Sequence, residues 1–301
     1  QIRRIGVLGF AVSFMLILAL PIIGTDFGKG ATRWLSLGFV SVQPSEFLKP
    51  GFVALCAWFM ASAQEPGGPP GRIYSFGAAM TIVILLALQP DFGQASLVLF
   101  SWLVMYFVAG SPVILIVCVA GLAGMGGLFA YNASEHFARR INSFLSSEID
   151  ANTQIYFATN AIQEGRFFGV GVGEGTVKWS LPDAHTDFII AVAAEEYGFI
   201  MVLAIILLYM TIVMRSLLRL VRERDPFARI AGTGLACAFG VQALINMGVA
   251  VRLLPAKGMT LPFVSYGGSS MIASGIALGM LLALTRTRPQ GEFAEILRRS
   301  R

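Results

Sequence analysis

The chain has 301 residues, of which 56% are hydrophobic and only 13% are charged, and its mean hydropathy is +0.73. This composition excludes a soluble domain, a disordered chain and a disulfide scaffold. In a soluble domain, about a quarter of the residues are charged. The net charge of +5 is too small and too dispersed to indicate nucleic-acid binding. Cys56, Cys118 and Cys237 lie in apolar runs, which is typical of packing residues rather than of metal ligands or disulfides.

The charge-free intervals predict eight transmembrane helices, because hydrocarbon excludes charged side chains. A helix needs roughly 20 residues to cross a bilayer. The predicted spans are 6–24, 44–62, 74–89, 92–109, 112–131, 187–213, 229–251 and 264–285. The predicted fold class is therefore an all-α polytopic membrane protein, with residues 1–301 forming a single integral membrane domain.

The distribution of Lys and Arg predicts that both termini are cytoplasmic. In this orientation the basic tail 286–301 lies inside the cell, and segment 132–186 forms a long extracytoplasmic loop. The first apolar run lacks a small-residue cleavage site, so we expect no cleavable signal. A glycine-rich stretch, 165–175, lacks the Lys-Ser/Thr ending of a phosphate-binding loop and predicts a flexible or re-entrant turn near the membrane.

Three polar clusters lie at predicted outer ends of the spans. The first contains Arg33, Trp34 and segment 43–49. Glu46 and Lys49 are three residues apart, so they share one face of a helix. Two interpretations remain open: an interfacial salt bridge with Trp34 as an aromatic anchor, or a buried pair that lines a polar cavity.

The second cluster lies within 181–196, where the chain leads into the sixth predicted span. Its titratable side chains include His185, Asp187, Glu195 and Glu196. One interpretation is local: Thr186 or Asp183 caps the helix, and Asp187 is an acid of the first turn that the helix dipole favours. The other is that some of these groups face a polar interior, because they cannot all face lipid.

The third cluster precedes the last predicted span. A proline and a Gly-Gly pair within 261–270 predict a broken or closely packed start of the helix. Arg252 and Lys257 are predicted outer cations, suited to an anionic lipid head. A simple packing role for the small residues is the alternative.

Taken together, these segments resemble the SEDS family (shape, elongation, division and sporulation), the membrane polymerases of the bacterial cell wall. The stretches that carry the resemblance cover nearly the whole chain, in order: GATRWLSLG, VQPSEFLKP, QPDFGQ, RRINSFL, GVGVGEG, LPDAHTDFIIAVAAEEYG and LLPAKGMTLPFVSYGGSS. The division-type, FtsW-like branch is closer than the elongation-type, RodA-like one. The family usually has ten helices, so the first two are expected to be missing from this chain. Arg166 stands where the family has a second glycine.

The resemblance implies a peptidoglycan glycosyltransferase that polymerises lipid II at the outer face of the bacterial cytoplasmic membrane, at the division septum. The 4-hydroxyl of the acceptor attacks the anomeric carbon of the donor, and undecaprenyl diphosphate leaves. Because this step inverts the anomeric centre, one carboxylate suffices as general base. The implied partners are an undecaprenyl-linked glycan, a class B penicillin-binding protein with transpeptidase activity, and other division proteins, but no nucleic acid.

A lipid II flippase or carrier and a non-catalytic division scaffold are the two alternatives. The resemblance implies catalytic roles for Asp187, Lys49 and Glu46. Asp187 matches the catalytic acid of the family and acts either as a base or by holding a divalent cation, Mg or Mn; no other cofactor is implied. The residues expected to contact the lipid II head or its diphosphate are Arg33, Gln43, Ser45, His185, Thr186, Arg252, Lys257, Ser265 and Tyr266.

Overall fold

The computed structural model describes residues 1–25, 33–36, 38, 41–146, 153–255 and 258–286. Within these ranges the chain forms ten α-helices, a short 3-10 helix and a two-stranded sheet. The elements are α1 (Ile2–Ile23), β1 (Leu35–Ser36), β2 (Ser41–Val42), α2 (Pro44–Ser62), α3 (Gly71–Leu88), α4 (Phe92–Val108), α5 (Val113–Ala133), α6 (Glu135–Leu145), α7 (Gln154–Gly165), the 3-10 helix (Val177–Trp179), α8 (Ile189–Leu220), α9 (Pro226–Ala250) and α10 (Gly268–Thr285). The two strands are antiparallel, with Leu35 opposite Val42. Apart from this small hairpin, the predicted all-α class is confirmed.

Each predicted span coincides with a helix, but some of the predicted ends are wrong. Among the described residues, six helices are long and apolar enough to cross a membrane: α1, α3, α5, α8, α9 and α10. α4 is a shorter apolar helix, and α2 carries two charged residues in its first turns. α8 continues to Leu220, beyond the predicted end at 213. α10 begins at Gly268 rather than at 264, because the amide of Val264 and that of Ser265 both bond back to the carbonyl of Leu261 in a turn.

Much of the segment predicted as the outer loop, 132–186, is helical. The hydroxyl of Ser134 caps α6 by accepting from the amide of Phe137 over 3.4 Å, and Thr153 caps α7 in the same way. The ring of Phe137 packs 4.6 Å from that of Phe92 at the start of α4. The predicted basic tail falls outside the described residues from 287 onward, and the proposed division of the chain into domain, loop and tail stays a prediction.

The centre of the bundle is α9, which packs against α2, α4, α8 and α10. α2 packs in turn against α1 and α3, and α1 approaches α2 closely. A side chain at Gly51 would place its Cβ only 2.6 Å from the backbone nitrogen of Phe10. α5 lies at the edge, where it contacts α4 and α6, and Val119 is its one buried residue. The polar residues of α2 and α9 therefore meet in the interior of the protein.

The glycine-rich stretch is a turn packed against a break in α8. Gly198 interrupts α8 with a φ of 78°, and a Cβ there would lie 2.4 Å from the backbone nitrogen of Gly169. Gly169 also has a positive φ, 81°. This close backbone contact needs glycine at both positions. The expected flexible turn is thus held against the first turns of α8.

Candidate active site

Glu46 and Lys49 form a buried ion pair in the first turns of α2. Their charged atoms lie 2.6 Å apart, and the exposed fractions of the side chains are 3% and 11%, respectively. Pro44 occupies the first position of α2, so the helix begins two residues before Glu46. Of the two interpretations left open by the sequence, the structure therefore has the buried pair and not the interfacial salt bridge.

Two amide side chains hold this pair from neighbouring helices. Lys49 Nζ donates to Oε1 of Gln242 in α9 over 2.7 Å, and Glu46 Oε1 accepts a short hydrogen bond from Gln94 Nε2 in α4. Gln242 also donates from Nε2 to the carbonyl of Thr260 over 3.0 Å. The sequence analysis missed both amides, although a glutamine in an apolar span was the available signal.

The polar network continues from Gln94 to Asp91, which the sequence analysis also missed. Asp91 caps α4: its Oδ1 accepts from the amide of Gln94 over 3.4 Å, and its Oδ2 accepts from Nε2 of Gln43 over 3.5 Å. Asp91 is buried, and burial raises the pKa of its carboxyl, while the charge of Arg33 acts in the opposite direction. Gln43 therefore binds another side chain of the site.

Arg33 is fixed by backbone carbonyls just after the C-terminal end of α3. Its Nε donates to the oxygen of Gln89 over 3.0 Å, and its Nη2 donates to that of Pro90 over 2.6 Å. Ser45, by contrast, is buried, and its hydroxyl has no hydrogen-bond partner among the described residues. The structure thus places Arg33 next to Asp91 and gives Ser45 no open surface for a substrate.

Asp187 lies in a turn before α8 and not in the first turn of the helix, so that local interpretation is wrong. α8 begins at Ile189 with Phe188 as its N-cap and without a side-chain cap, so neither Thr186 nor Asp183 caps it. The amide of Asp187 bonds to the carbonyl of Asp183 over 3.1 Å instead. The turn sets Asp187 just outside the helix.

The backbone of Asp187 is held by α9, and its carboxylate lies against the chain segment that follows α9. Asn246 Nδ2 donates to the carbonyl of Asp187 over 2.9 Å and to that of Met259 over 2.6 Å. A Cβ added to Gly258 would lie 3.2 Å from Asp187 Oδ2, so the carboxylate packs beside this glycine. Lys257, predicted to bind the diphosphate, lies outside the described residues.

The remaining predicted contacts hold the turn of Asp187 through the backbone. Ser265 Oγ accepts from the amide of Leu261 over 2.7 Å and donates to the carbonyl of Thr186. The amide of Tyr266 donates to the carbonyl of His185 over 2.8 Å, and the ring of Tyr266 is exposed. These residues therefore lie at the site, and their observed hydrogen bonds join the turn before α8 to the turn before α10.

A third cation, Arg140 of α6, lies in the same region and was missed by the sequence analysis. It is in electrostatic range of Arg33, Asp91 and Asp187. Arg252, a predicted cation, donates to the carbonyl of Ser146 just after α6. These two arginines thus connect α6 and the residue after it with the region of Asp91 and Asp187 and with the segment that follows α9.

The side chains of Glu195 and Glu196 hold the 3-10 helix that follows the glycine-rich stretch. The carboxylate of Glu195 is fully buried, and it accepts from the amides of Val177 and Lys178 over 2.8 and 3.0 Å. Glu196 forms an ion pair with the side chain of Lys178. A Cβ at Gly175 would lie 2.8 Å from the carboxyl carbon of Glu195, so the turn is closely fitted to this acid.

A small apolar cavity of about 30 Å³ lies beside the ion pair, between α2, α9 and α10. Glu46, Lys49 and Gln242 form its polar end, whereas Val53 and Phe239 belong to its apolar walls. The polar end of this cavity is thus formed by the ion pair and by the amide that holds it.

Within the described ranges, no group of three or more His, Cys, Asp or Glu side chains is arranged to hold a metal ion. Mg²⁺ commonly takes one or two protein carboxylates and completes its shell with water and substrate phosphates. Asp187 fits a cation shared in this way with a substrate, but the described residues do not form a protein cage for one. The predicted divalent cation stays a prediction, and no catalytic step is assigned to it.

The chain matches the family described as Cell cycle protein, of the FtsW, RodA and SpoVE type, over residues 1–290. It is 43% identical over 300 residues to the probable peptidoglycan glycosyltransferase FtsW of Caulobacter vibrioides. This alignment covers 97% of this chain and 76% of that protein. It is 33% identical to the stage V sporulation protein E of Bacillus subtilis, over 91% of this chain and 77% of that protein.

Two solved structures are similar in fold. One, from a peptidoglycan synthase complex described as coordinating polymerization and crosslinking, superimposes with a TM-score of 0.77 at 29% identity, over 96% of this chain and 83% of the other. The rod shape determining protein RodA of Thermus thermophilus gives a TM-score of 0.64 at 27% identity, over 95% and 79%.

Proposed function

Because the chain belongs to the FtsW, RodA and SpoVE family of cell cycle proteins, we propose that it is a multi-pass membrane peptidoglycan glycosyltransferase of the division type. It polymerises lipid II into glycan strands on the outer side of the bacterial cytoplasmic membrane, with inversion at the anomeric carbon and release of undecaprenyl diphosphate. Its identity to the FtsW protein of Caulobacter vibrioides, 43%, supports the division type.

The proposal rests on one structural observation: Asp187 and Lys49 are both linked to the same short segment, which follows α9. Asn246 and Gln242, one turn apart on α9, bond the consecutive carbonyls of Met259 and Thr260. Through their second bonds the same two amides hold Asp187 and Lys49. An acid and a cation fixed to one rigid frame are the preorganised pair that attack by a hydroxyl and departure of a diphosphate require.

The roles of the side chains follow from their chemistry. Asp187 accepts the proton of the attacking 4-hydroxyl. Lys49 supplies positive charge to the leaving diphosphate, and Glu46 orients Lys49 through the 2.6 Å ion pair. Arg33 supplies a second cation at the outer end of the network.

We propose further that the chain works with a class B penicillin-binding protein at the septum, with both termini in the cytoplasm. The similar structure from a complex that coordinates polymerization and crosslinking supports such a partner. The sequence has no stretch that resembles a transpeptidase, which is consistent with crosslinking by another chain.

The test is polymer formation by purified protein and lipid II in detergent, where no sides exist and transport cannot yield polymer. Asp187→Asn keeps the shape of the side chain and removes its basicity. We expect turnover to fall about 10²–10⁴-fold with unchanged thermal stability and lipid II binding, as for loss of a general base.

Glu174→Gln is the matched control, because it removes one exposed carboxylate from the loop before the site, and it should leave turnover unchanged. A stable and fully active Asp187→Asn protein would overturn the role of Asp187. Wild-type protein that moves lipid II across vesicles but never polymerises it would favour the flippase, and a protein with neither activity would favour the scaffold. A divalent-cation titration of the wild type separates a base from a metal ligand.

A further inference from the structure

α6 is held against the rest of the protein at two points besides its contact with α5. Near its start, the ring of Phe137 packs 4.6 Å from Phe92, the residue that follows Asp91. Just after its end, the carbonyl of Ser146 accepts from Arg252, in the segment that follows α9. These contacts join α6 to α4 and to the segment after α9, so the face of α6 that carries Phe137, its inner face, is turned towards the start of α4.

Arg140 lies on this inner face, three residues after Phe137. The side chain is partly buried, and its guanidinium is in electrostatic range of Arg33, Asp91 and Asp187. No hydrogen bond or ion pair joins it to any other residue in the described part of the chain. Burial and the charge of Arg33 lower its pKa, whereas Asp91 and Asp187 act in the opposite direction.

Two guanidinium groups are therefore held near each other at the mouth of the site. Arg33 uses two of its donors on the carbonyls of Gln89 and Pro90, and a guanidinium has five donors in all. Two neighbouring cations repel each other unless an anion lies between them. A guanidinium matches the geometry of phosphate oxygens and binds them in pairs.

We propose that Arg140 and Arg33 together form the binding site for the diphosphate of the lipid-linked substrate, with Arg140 supplied by α6 as a cover over Asp187. The identity of the lipid rests on the proposed function, but the diphosphate chemistry rests on the two arginines. Asp91 and Asp187 balance part of the positive charge in the free protein. When the diphosphate binds, its negative charge balances that of the two arginines. The carboxylate of Asp187 then stays available beside the reacting group.

The test is a binding titration of the whole purified protein in detergent with undecaprenyl diphosphate, and in parallel with undecaprenyl phosphate. We expect Arg140→Ala to weaken binding of the diphosphate lipid about tenfold or more, because a charge-assisted bond to phosphate is lost. Binding of the monophosphate lipid should change less, so the preference for diphosphate should shrink. Arg140→Lys should restore only part of it.

Arg139→Ala is the matched control. Arg139 is the adjacent residue on α6, is exposed, and bonds its own helix at the carbonyl of Glu135 over 3.4 Å. The same loss of charge there should leave both affinities unchanged. Inorganic diphosphate should compete with the lipid in the wild type and much more weakly in Arg140→Ala, which separates recognition of the head from recognition of the tail.

Two results would overturn the proposal: unchanged diphosphate affinity in a stably folded Arg140→Ala protein, or an equal loss in Arg139→Ala. Melting temperatures of the variants exclude simple unfolding of α6 as the cause. If the wild type binds the diphosphate lipid but makes no glycan from lipid II, the proposed function fails and the diphosphate site stands. If polymerisation is normal but the Arg140→Ala protein binds as the wild type does, only the role of Arg140 fails.

Discussion

Lys49 in α2 and Gln242 in α9 are joined across the core by a hydrogen bond of 2.7 Å from Nζ to Oε1. Glu46 accepts a second Nζ proton over 2.6 Å, so these bonds use two of the three donors of the ammonium. Gln242 is held in turn by the carbonyl of Thr260. The cation is therefore fixed in position by two helices and a loop before any ligand binds.

This arrangement predicts that Lys49→Ala abolishes polymerisation and that Lys49→Arg does not fully restore it. A planar guanidinium cannot place single protons on Glu46 and Gln242 as a compact ammonium does. The measurement is glycan formed from lipid II by each purified variant, beside its melting temperature.

The control addresses folding. Removing Lys49 alone leaves the carboxylate of Glu46 buried without its cation, at a cost of about 3–5 kcal/mol. The double variant Lys49→Met with Glu46→Gln removes both charges and should recover much of that stability while remaining inactive. Near-normal product from any folded variant without Lys49 would remove this residue from the site.

The sequence predicted the Glu46–Lys49 pair because the two residues are three apart on one helix, and local spacing alone brings them together. It could not predict Gln242, which lies 193 residues from Lys49 along the chain, or Gln94, which lies 48 residues from Glu46. Those contacts depend on how the helices pack. For the same reason it could not predict that the hydroxyl of Ser265 bonds the backbone of two turns; the contact of Ser265 with substrate stays a prediction.

The buried carboxyl of Asp91 predicts a specific pH dependence of stability. Burial raises its pKa in the folded state, so its protonated form favours folding, and this contribution is present below the unfolded pKa of about 3.9. It is lost as the pH rises through the raised pKa of the folded protein. Asp91→Asn can still cap α4 but carries no charge.

We therefore expect the melting temperature of Asp91→Asn, relative to that of the wild type, to increase as the pH rises from about 4 towards neutrality. Melting curves of both proteins in one detergent across this range are the measurement. Other titrating groups are common to both proteins and cancel in the difference. A difference that stays constant with pH would contradict the assignment of the raised pKa to Asp91.

Glu195 is predicted to stabilise the fold by holding the turn before Asp187. Its two oxygens accept from the amides of Val177 and Lys178, and Glu195→Gln would turn an amide N–H towards one of these donors. We expect a loss of about 1–3 kcal/mol in the free energy of unfolding, because one of two partly buried amides loses its acceptor. Thermal or denaturant unfolding in detergent measures it.

Glu196→Gln is the comparison for Glu195. It weakens only the neighbouring ion pair between Glu196 and Lys178, whose side chains are 13% and 12% exposed. The amides of Val177 and Lys178 keep the carboxylate of Glu195 as their acceptor. Its effect on the free energy of unfolding should therefore be the smaller of the two. Equal losses would mean that Glu195 contributes through charge alone and not through the two backbone bonds.

Arg166 ends α7 with a φ of 45° and a ψ of −138°, a conformation that glycine adopts readily and other residues adopt only under strain. Its side chain is exposed, and its carbonyl accepts from the amide of Phe199 over 2.9 Å, a contact that does not depend on the side chain. Arg166→Gly should therefore relieve about 1–3 kcal/mol of backbone strain, offset by about 0.5–1 kcal/mol for the greater freedom of glycine in the unfolded chain. The net expectation is a higher melting temperature with unchanged polymerisation. Arg166→Ala removes the same side chain but keeps the Cβ, so it should bring no gain, and equal melting temperatures for the glycine and alanine variants would show that backbone strain is not the cause.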